Sequence, residues 1–289
     1  MIIDVHSHPD FLGLDMDGLL KNLEENGIDR TWLLPWEAPA DEYDPVYNWQ
    51  FDIDADGPAS FKKCLAYVKA RPDKFILGYA PDPRRPESID RLKMAVATYG
   101  VKVYGELKLR VMYDNPDVIR MFRYCGEIGI PVLLHNGDGV PTGVTYPRPD
   151  YWYGGGIESL ERMLALCPET VFIGHAPGFW AHISGDDKYI SEAYPKGPVL
   201  PGGKVEALLC KYPNLYCDIS AHSGYNALNR DHEYTRKLLL TYQDRICYGR
   251  DYYDSVHRDL LESLGLPSGV SEKIYSGNAK KILRGDIKI

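Results

Sequence analysis

A chain of 289 residues, 44% of them hydrophobic, can bury a large core, enough for two ordinary domains or one large α/β barrel. A formal net charge of -8 and the lack of any Lys/Arg-rich run argue against nucleic acid, or any partner held by bulk positive charge. No apolar stretch is long enough to cross a membrane and no secretory signal is visible, while six cysteines without a C-x-x-C pair suit free thiols in a reducing cytoplasm rather than a disulfide framework.

The chain opens with "IIDVH", a β-branched run that predicts a strand, and "MDGLLKNLEENG" follows with helical spacing and Gly27 at its end. "RTWLLPW" reads as strand, "ASFKKCLAYVKARPDK" as helix and "FILGYA" as strand. "PESIDRLKMAVATYG" is a helix bounded by Pro86 and Gly100. The second half keeps step: strand "VYGELKL", helix "NPDVIRMFRYCGEIG", strand "IPVLLHN", helix "GIESLERMLALCP", strand "TVFIGHA". Then come helix "GGKVEALLCKYP", strand "NLYCDIS", a helix around "EYTRKLLLTYQ", strand "RICYGRD" and the closing helices "HRDLLESLG" and "SEKIYSGNAKKILRG".

Strand and helix alternate eight times, which predicts a (β/α)₈ TIM barrel formed as a single domain over residues 1–289. An open doubly wound sheet is the structural alternative, but no G-x-G-x-x-G follows any strand. The links from helix to strand are short ("NGIDR", "GIP", "CPET"), whereas 37–58, 136–156, 176–203 and 220–232 leave strands and are long. In a barrel those long links share one face, the face where active sites are built.

Polar residues gather at the strand ends of that face. His6 and His8 end the first strand, His135 the fifth, His175 the sixth and Asp251 the eighth. On an ideal strand Ile2, Asp4, His6 and His8 share a side, so both imidazoles can meet one ion. Imidazoles with a carboxylate suit a divalent metal, Zn²⁺ ahead of Mn²⁺ or Fe²⁺. Such an ion acidifies water and polarises a substrate oxygen, and Asp251 can ligate and act as general base. On the fourth strand Glu106 and Lys108 share a face. Glu106 could bridge two metals; Lys108 could do so if carbamylated, or could bind a substrate carboxylate, or the two could form an ion pair.

This arrangement resembles the amidohydrolase superfamily of metal-dependent barrels over nearly the whole chain. Finer features, "GIDRTWLLP", "GIPVLLHNG", "GHAPG", "PNLYCDIS", "YGRDY" and "SGNAKKIL", resemble its amidohydrolase-2 branch, the aminocarboxymuconate-semialdehyde decarboxylase-like enzymes. That resemblance implies one metal held by His6, His8, His135 and Asp251, with His175 a catalytic histidine beside it. "GEL" departs from the branch and looks like the "GE" of TatD-like deoxyribonucleases and phosphotriesterase-like proteins. Carried over, it implies Glu106 bridging two ions and His175 as a ligand, which leaves one or two ions open.

Substrate-facing candidates lie in the long loops: Lys108 and Arg110 at the fourth strand, Tyr146, Arg148, Tyr151, Trp152 and Tyr153 after the fifth, and Trp180 and His182 after the sixth. Ser220 and His222 follow the seventh, and Tyr252 and Tyr253 adjoin Asp251. Aromatic walls with a few Arg and His groups suit a small anionic or ring-containing substrate. They could equally pack on each other or on a second subunit of a homo-oligomer. The expected function is a cytoplasmic metal-dependent hydrolase acting on an ester, lactone or amide-type bond. The main alternative is a metal-dependent decarboxylase of a small unsaturated or aromatic acid; a TatD-like nuclease and a non-catalytic binding barrel are weaker ones.

Overall fold

The computed structural model describes residues 1–43, 45–137 and 152–283. Its strands are β1 Ile3–Ser7, β2 Arg30–Leu33, β3 Phe75–Leu77, β4 Tyr104–Leu107, β5 Val132–His135, β6 Phe172–His175, β7 Leu215–Asp218 and β8 Ile246–Cys247. Its helices begin with α1 Met16–Glu25, α2 Phe61–Ala70, α3 Ser88–Tyr99, α4 Pro116–Ile128 and α5 Gly156–Leu166. They continue with α6 Pro177–Trp180, α7 Lys204–Lys211, α8 Ala221–Asn229, α9 His232–Thr241 and α10 Val256–Ser263. Among the described residues, no helix is long and apolar enough to cross a membrane.

Every strand pairs in parallel with its neighbour in sequence, in two arcs, β1-β2-β3 and β4 to β8. Backbone hydrogen bonds span both gaps. Tyr79 N donates to Val103 O at 2.9 Å between β3 and β4, and Val5 N donates to Tyr248 O at 3.0 Å between β8 and β1. Sequential parallel strands with helical crossovers make this a (β/α)₈ barrel. The helix ends follow local chemistry. Asn115 accepts from Asp117 N ahead of Pro116 to start α4, and Gly100 and Gly129 end α3 and α4 at positive φ.

Two apolar layers hold the ring. The larger packs helices on strands. The smaller takes a residue from each strand or its flank, including Val5, Trp32, Ile76, Val103, Leu133, Ile173, Tyr216 and Cys247, and fills the interior. Alternation then lifts the next inward residues of β5, β6 and β7 one level up, to His135, His175 and Asp218.

Three features differ from the expected pattern. Strict alternation fails on β1, where the register shifts between Asp4 and Ser7. Ile3 and Val5 join the interior layer, while Asp4 turns to Arg250, its Oδ2 accepting from Arg250 Nε at 2.9 Å. Residues 220–232, read as loop, contain α8, whose helical spacing is masked by a face of His, Tyr and Asn side chains. And β8 is only two residues long, with Asp251 beyond it at φ 60.

Candidate metal centre and active site

His6, His8, Glu106, His135 and His175 are all buried, and the Asp251 side chain is 16% exposed. Their ligand atoms form two sets of three, His6–His8–Asp251 and Glu106–His135–His175, each with all atoms within 4.8 Å of one another. Glu106 lies between the sets. Its Oε1 is 3.7 Å from His6 Nε2 and 3.8 Å from His175 Nε2, and its Oε2 is 3.5 Å from His8 Nε2. Asp251 Oδ1 is 3.8 Å from His6 Nε2 and 3.5 Å from His8 Nε2. These gaps are too long for hydrogen bonds. They match donors that share an ion at about 2.0–2.2 Å, which stand roughly 3.4 Å apart.

The far nitrogens of three imidazoles are tied down. His6 Nδ1 is 3.1 Å from Asp218 Oδ2, His175 Nδ1 is 2.9 Å from Asp218 Oδ1, and His8 Nδ1 is 2.8 Å from Leu34 O. Because these partners only accept, each Nδ1 carries a proton, and Nε2 is the atom that each ring turns to the cluster. Ser220 Oγ donates to Asp218 Oδ1 at 2.6 Å and steadies the carboxylate. His135 is turned the other way, its Nδ1 2.6 Å from Glu106 Oε1. His6 Nε2 is buried without a hydrogen-bond partner, which is costly unless something fills the space it faces.

The electrostatics favour a cation. Burial lowers the affinity of His6 for a proton, but Asp251, Asp218 and Glu106 outweigh it and push the group up to about 10. Burial and the ammonium of Lys108 push His135 down to about 3. Despite burial, His135 and Lys108 hold Glu106 well below the usual carboxylate range, as His175 and His6 hold Asp218. Buried carboxylates among imidazoles, with no thiolate, are a donor set that fits a divalent metal. The backbone is strained around it: Ala176, Ala221 and Asp251, just beyond β6, β7 and β8, all have positive φ.

A cavity of about 220 Å³ opens above these donors. Trp36, Tyr47, Phe51, Tyr194, His222 and Tyr252 are among its walls. Lys108, only 6% exposed, reaches into it through an aromatic cage: its Nζ lies 3.9 Å from the Trp36 ring centre and 4.5 Å from that of Tyr47. It donates to Tyr47 OH at 3.2 Å, and no ion pair within 4.0 Å joins it to Glu106 among the described residues.

A family model described as amidohydrolase matches residues 3–285. The chain belongs to the amidohydrolase family. It is therefore an enzyme, and the family supports a divalent metal, which its grouped histidines and carboxylates fit. No curated protein sequence matches this amidohydrolase. Its fold is similar to that of an uncharacterized TIM-barrel protein from Bordetella bronchiseptica, at a TM-score of 0.66 and 18% identity, with 98% of each chain covered. A dihydroxybenzoic acid decarboxylase from Polaromonas sp. with bound manganese is similar at 0.58 and 17%, covering 98% of this chain and 96% of that one. A probable 2-pyrone-4,6-dicarboxylic acid hydrolase from Acinetobacter baumannii is similar at 0.59 and 12%, covering 98% of each.

In this amidohydrolase the fold brings together His6, His8, Glu106, His135, His175 and Asp251, with Lys108, His222 and Tyr252 lining the cavity above. Arg110 and Trp180 do not line it. Trp180 is buried behind β7, its Nε1 donating to Asp218 O at 3.0 Å. β4 ends at Leu107, so alternation no longer governs Arg110, whose Nη1 donates to Asp41 O at 3.2 Å. Tyr146, Arg148 and Tyr151 lie outside the described residues. Sequence reasoning passed over Asp218, Trp36, Tyr47 and Tyr194. For Asp218 a signal existed: it ends "LYCD" in the same strand-end position as His135 and His175.

Proposed function

We propose that this enzyme is a divalent-metal hydrolase that cleaves an ester, lactone or amide-type bond of a small anionic substrate with water. The observation that carries the reading is the pair of donor sets with Glu106 between them. His6, His8 and Asp251 would hold one ion and His135 and His175 a second, with Glu106 shared and Zn²⁺ the metal. A divalent metal there supplies acidification of water and polarisation of the scissile carbonyl.

The chain's own groups do the rest. Asp251, part-open to the cavity, accepts a proton from the attacking water and passes it to the leaving group. Lys108 receives a substrate carboxylate, its charge poorly solvated among Trp36 and Tyr47 until an anion arrives. Phe51 and Tyr252 give the remainder of the substrate a dry, flat wall. Six cysteines without disulfides, five of them buried, support a reducing compartment, the cytoplasm.

One observation favours a second reading, decarboxylation. Lys108 follows Glu106 by two residues, so a carboxylate it holds would lie beside the metal donors. Elemental analysis and turnover in ¹⁸O-labelled water separate the outcomes. Two metal equivalents per chain, with label entering the product acid from an ester and lactone panel, are expected. Release of CO₂ from aromatic or β-keto acids without label uptake overturns the hydrolase reading.

A further inference from the structure

We propose that the catalytic cavity continues into a second, cationic subsite that receives a distal anionic group of the substrate, a carboxylate or a phosphate. The proposal rests on the reading of the metal-centred cavity as the active site and extends it to substrate selection.

The subsite is a groove of about 590 Å³ beside the smaller cavity over the metal donors. Tyr194 and His222 line both. His222, which lines both, stacks its ring on Tyr252 at 4.4 Å and 8° on the cavity side. Helix α8 carries the connection. Ala221, His222 and Ser223 in its first turn face the cavity, whereas His222, Tyr225, Asn226 and Asn229 line the groove. The last four stand at positions i, i+3, i+4 and i+7, one face of a helix. Ala227 and Leu228 serve the core from the other side of α8, which leaves this face polar.

Lys196 and Arg230 bring positive charge to the groove, and no carboxylate lines it among the described residues. Arg230 is paired with Asp186, so the positive charge at the groove without a carboxylate partner among the described residues is that of Lys196. The Arg230 side chain is 2% exposed; its Nη2 binds Asp186 at 2.8 Å and its Nε donates to Gly197 O at 2.6 Å. Its Nη1 is buried without any hydrogen-bond partner among the described residues. A buried guanidinium donor left unpaired is costly. Lys196 Nζ donates to Asn226 Oδ1, which aims the ammonium along the helix face and leaves its other protons for a ligand. Guanidinium and ammonium donors are the pair that hold a carboxylate or phosphate by charge-assisted bonds. With Lys108 at the deep end, the substrate is an elongated molecule anionic at both ends, its scissile bond between them.

Two measurements test this. Inorganic phosphate is titrated into metal-loaded wild-type protein, Lys196→Glu and His135→Ala by calorimetry. Phosphate binding that persists in His135→Ala and weakens about tenfold or more in Lys196→Glu is expected. Binding that disappears in His135→Ala, or that ignores Lys196→Glu, overturns the subsite. The second measurement compares esters that differ only in a distal carboxylate or its methyl ester. The kcat/KM ratio of anionic over neutral tail should fall about tenfold in Lys196→Glu and recover in Lys196→Arg; an unchanged ratio overturns the proposal. Should no ester be hydrolysed, the hydrolase reading fails, while the phosphate titration still decides the groove.

Discussion

The carboxylate of Asp218 meets His6 Nδ1 at 3.1 Å, and through its other oxygen it meets His175 as well. One strand-end acid thus fixes the tautomer of a histidine in each donor set. The partner on the far side of an imidazole decides which nitrogen is free for a metal.

Asp218→Asn keeps the shape but offers an amide that can donate as well as accept. The His6 and His175 tautomers are then no longer enforced. Metal affinity should fall about 10–100-fold while the fold survives. Competition with a chromogenic chelator measures the first, and circular dichroism the second. Unchanged affinity would mean that Asp218 only packs.

Much of the site was legible because barrel strands repeat one rule. Leu133 and His135, or Ile173 and His175, are apolar then polar on successive inward positions, and that pattern is local. What escaped depends on distant partners. The shift on β1 accompanies hydrogen bonds across the seam, Val5 N to Tyr248 O and Asp251 N to His6 O, made by residues more than two hundred positions away. The Lys108 cage joins Trp36 and Tyr47 from the β2 side to β4, and no periodicity encodes that meeting. Trp180 looked like a loop residue free to face substrate; a backbone oxygen of β7 claims its indole instead.

The Asp4–Arg250 pair is 1% exposed on both sides and locks β1 to the segment that presents Asp251. Arg250 also donates to Asn22 Oδ1 at 2.9 Å. Asp4→Ala strands a buried guanidinium and should cost about 3–5 kcal/mol in urea unfolding. The double variant Asp4→Leu/Arg250→Met removes both charges and should cost clearly less. Equal losses would show that the backbone contacts of Asp4, not the ion pair, hold the seam.

Glu37 makes stability depend on pH. Its Oε1 accepts from Phe61 N at 2.8 Å at the start of α2, yet burial raises the group to about 7. The folded protein therefore holds this proton more tightly than the unfolded chain does. The stability contributed is complete below the ordinary glutamate value and is lost as pH rises toward 7. Glu37→Gln cannot ionise and keeps an acceptor. Its Tm should match wild type near pH 4 and exceed it by several degrees at pH 8, from a gain of at most about 3 kcal/mol. A constant Tm difference across that range would exclude the buried carboxyl as its source.

Lys108→Met separates the anchor from the metal. Methionine keeps an unbranched stem against Trp36 and Tyr47 but loses the charge. If Lys108 binds a substrate carboxylate, KM for carboxylate substrates should rise about 10–100-fold, the loss of one charge-assisted hydrogen bond. Metal content should stay at the wild-type level, because no ligand has been removed. Loss of metal in the variant would instead make Lys108 a ligand, as a carbamylated lysine would be. A fall in kcat at constant KM would assign it to the chemical step. Steady-state kinetics with elemental analysis on the same preparation distinguishes the three, since the anchor role alone leaves metal content unchanged and shifts only substrate binding.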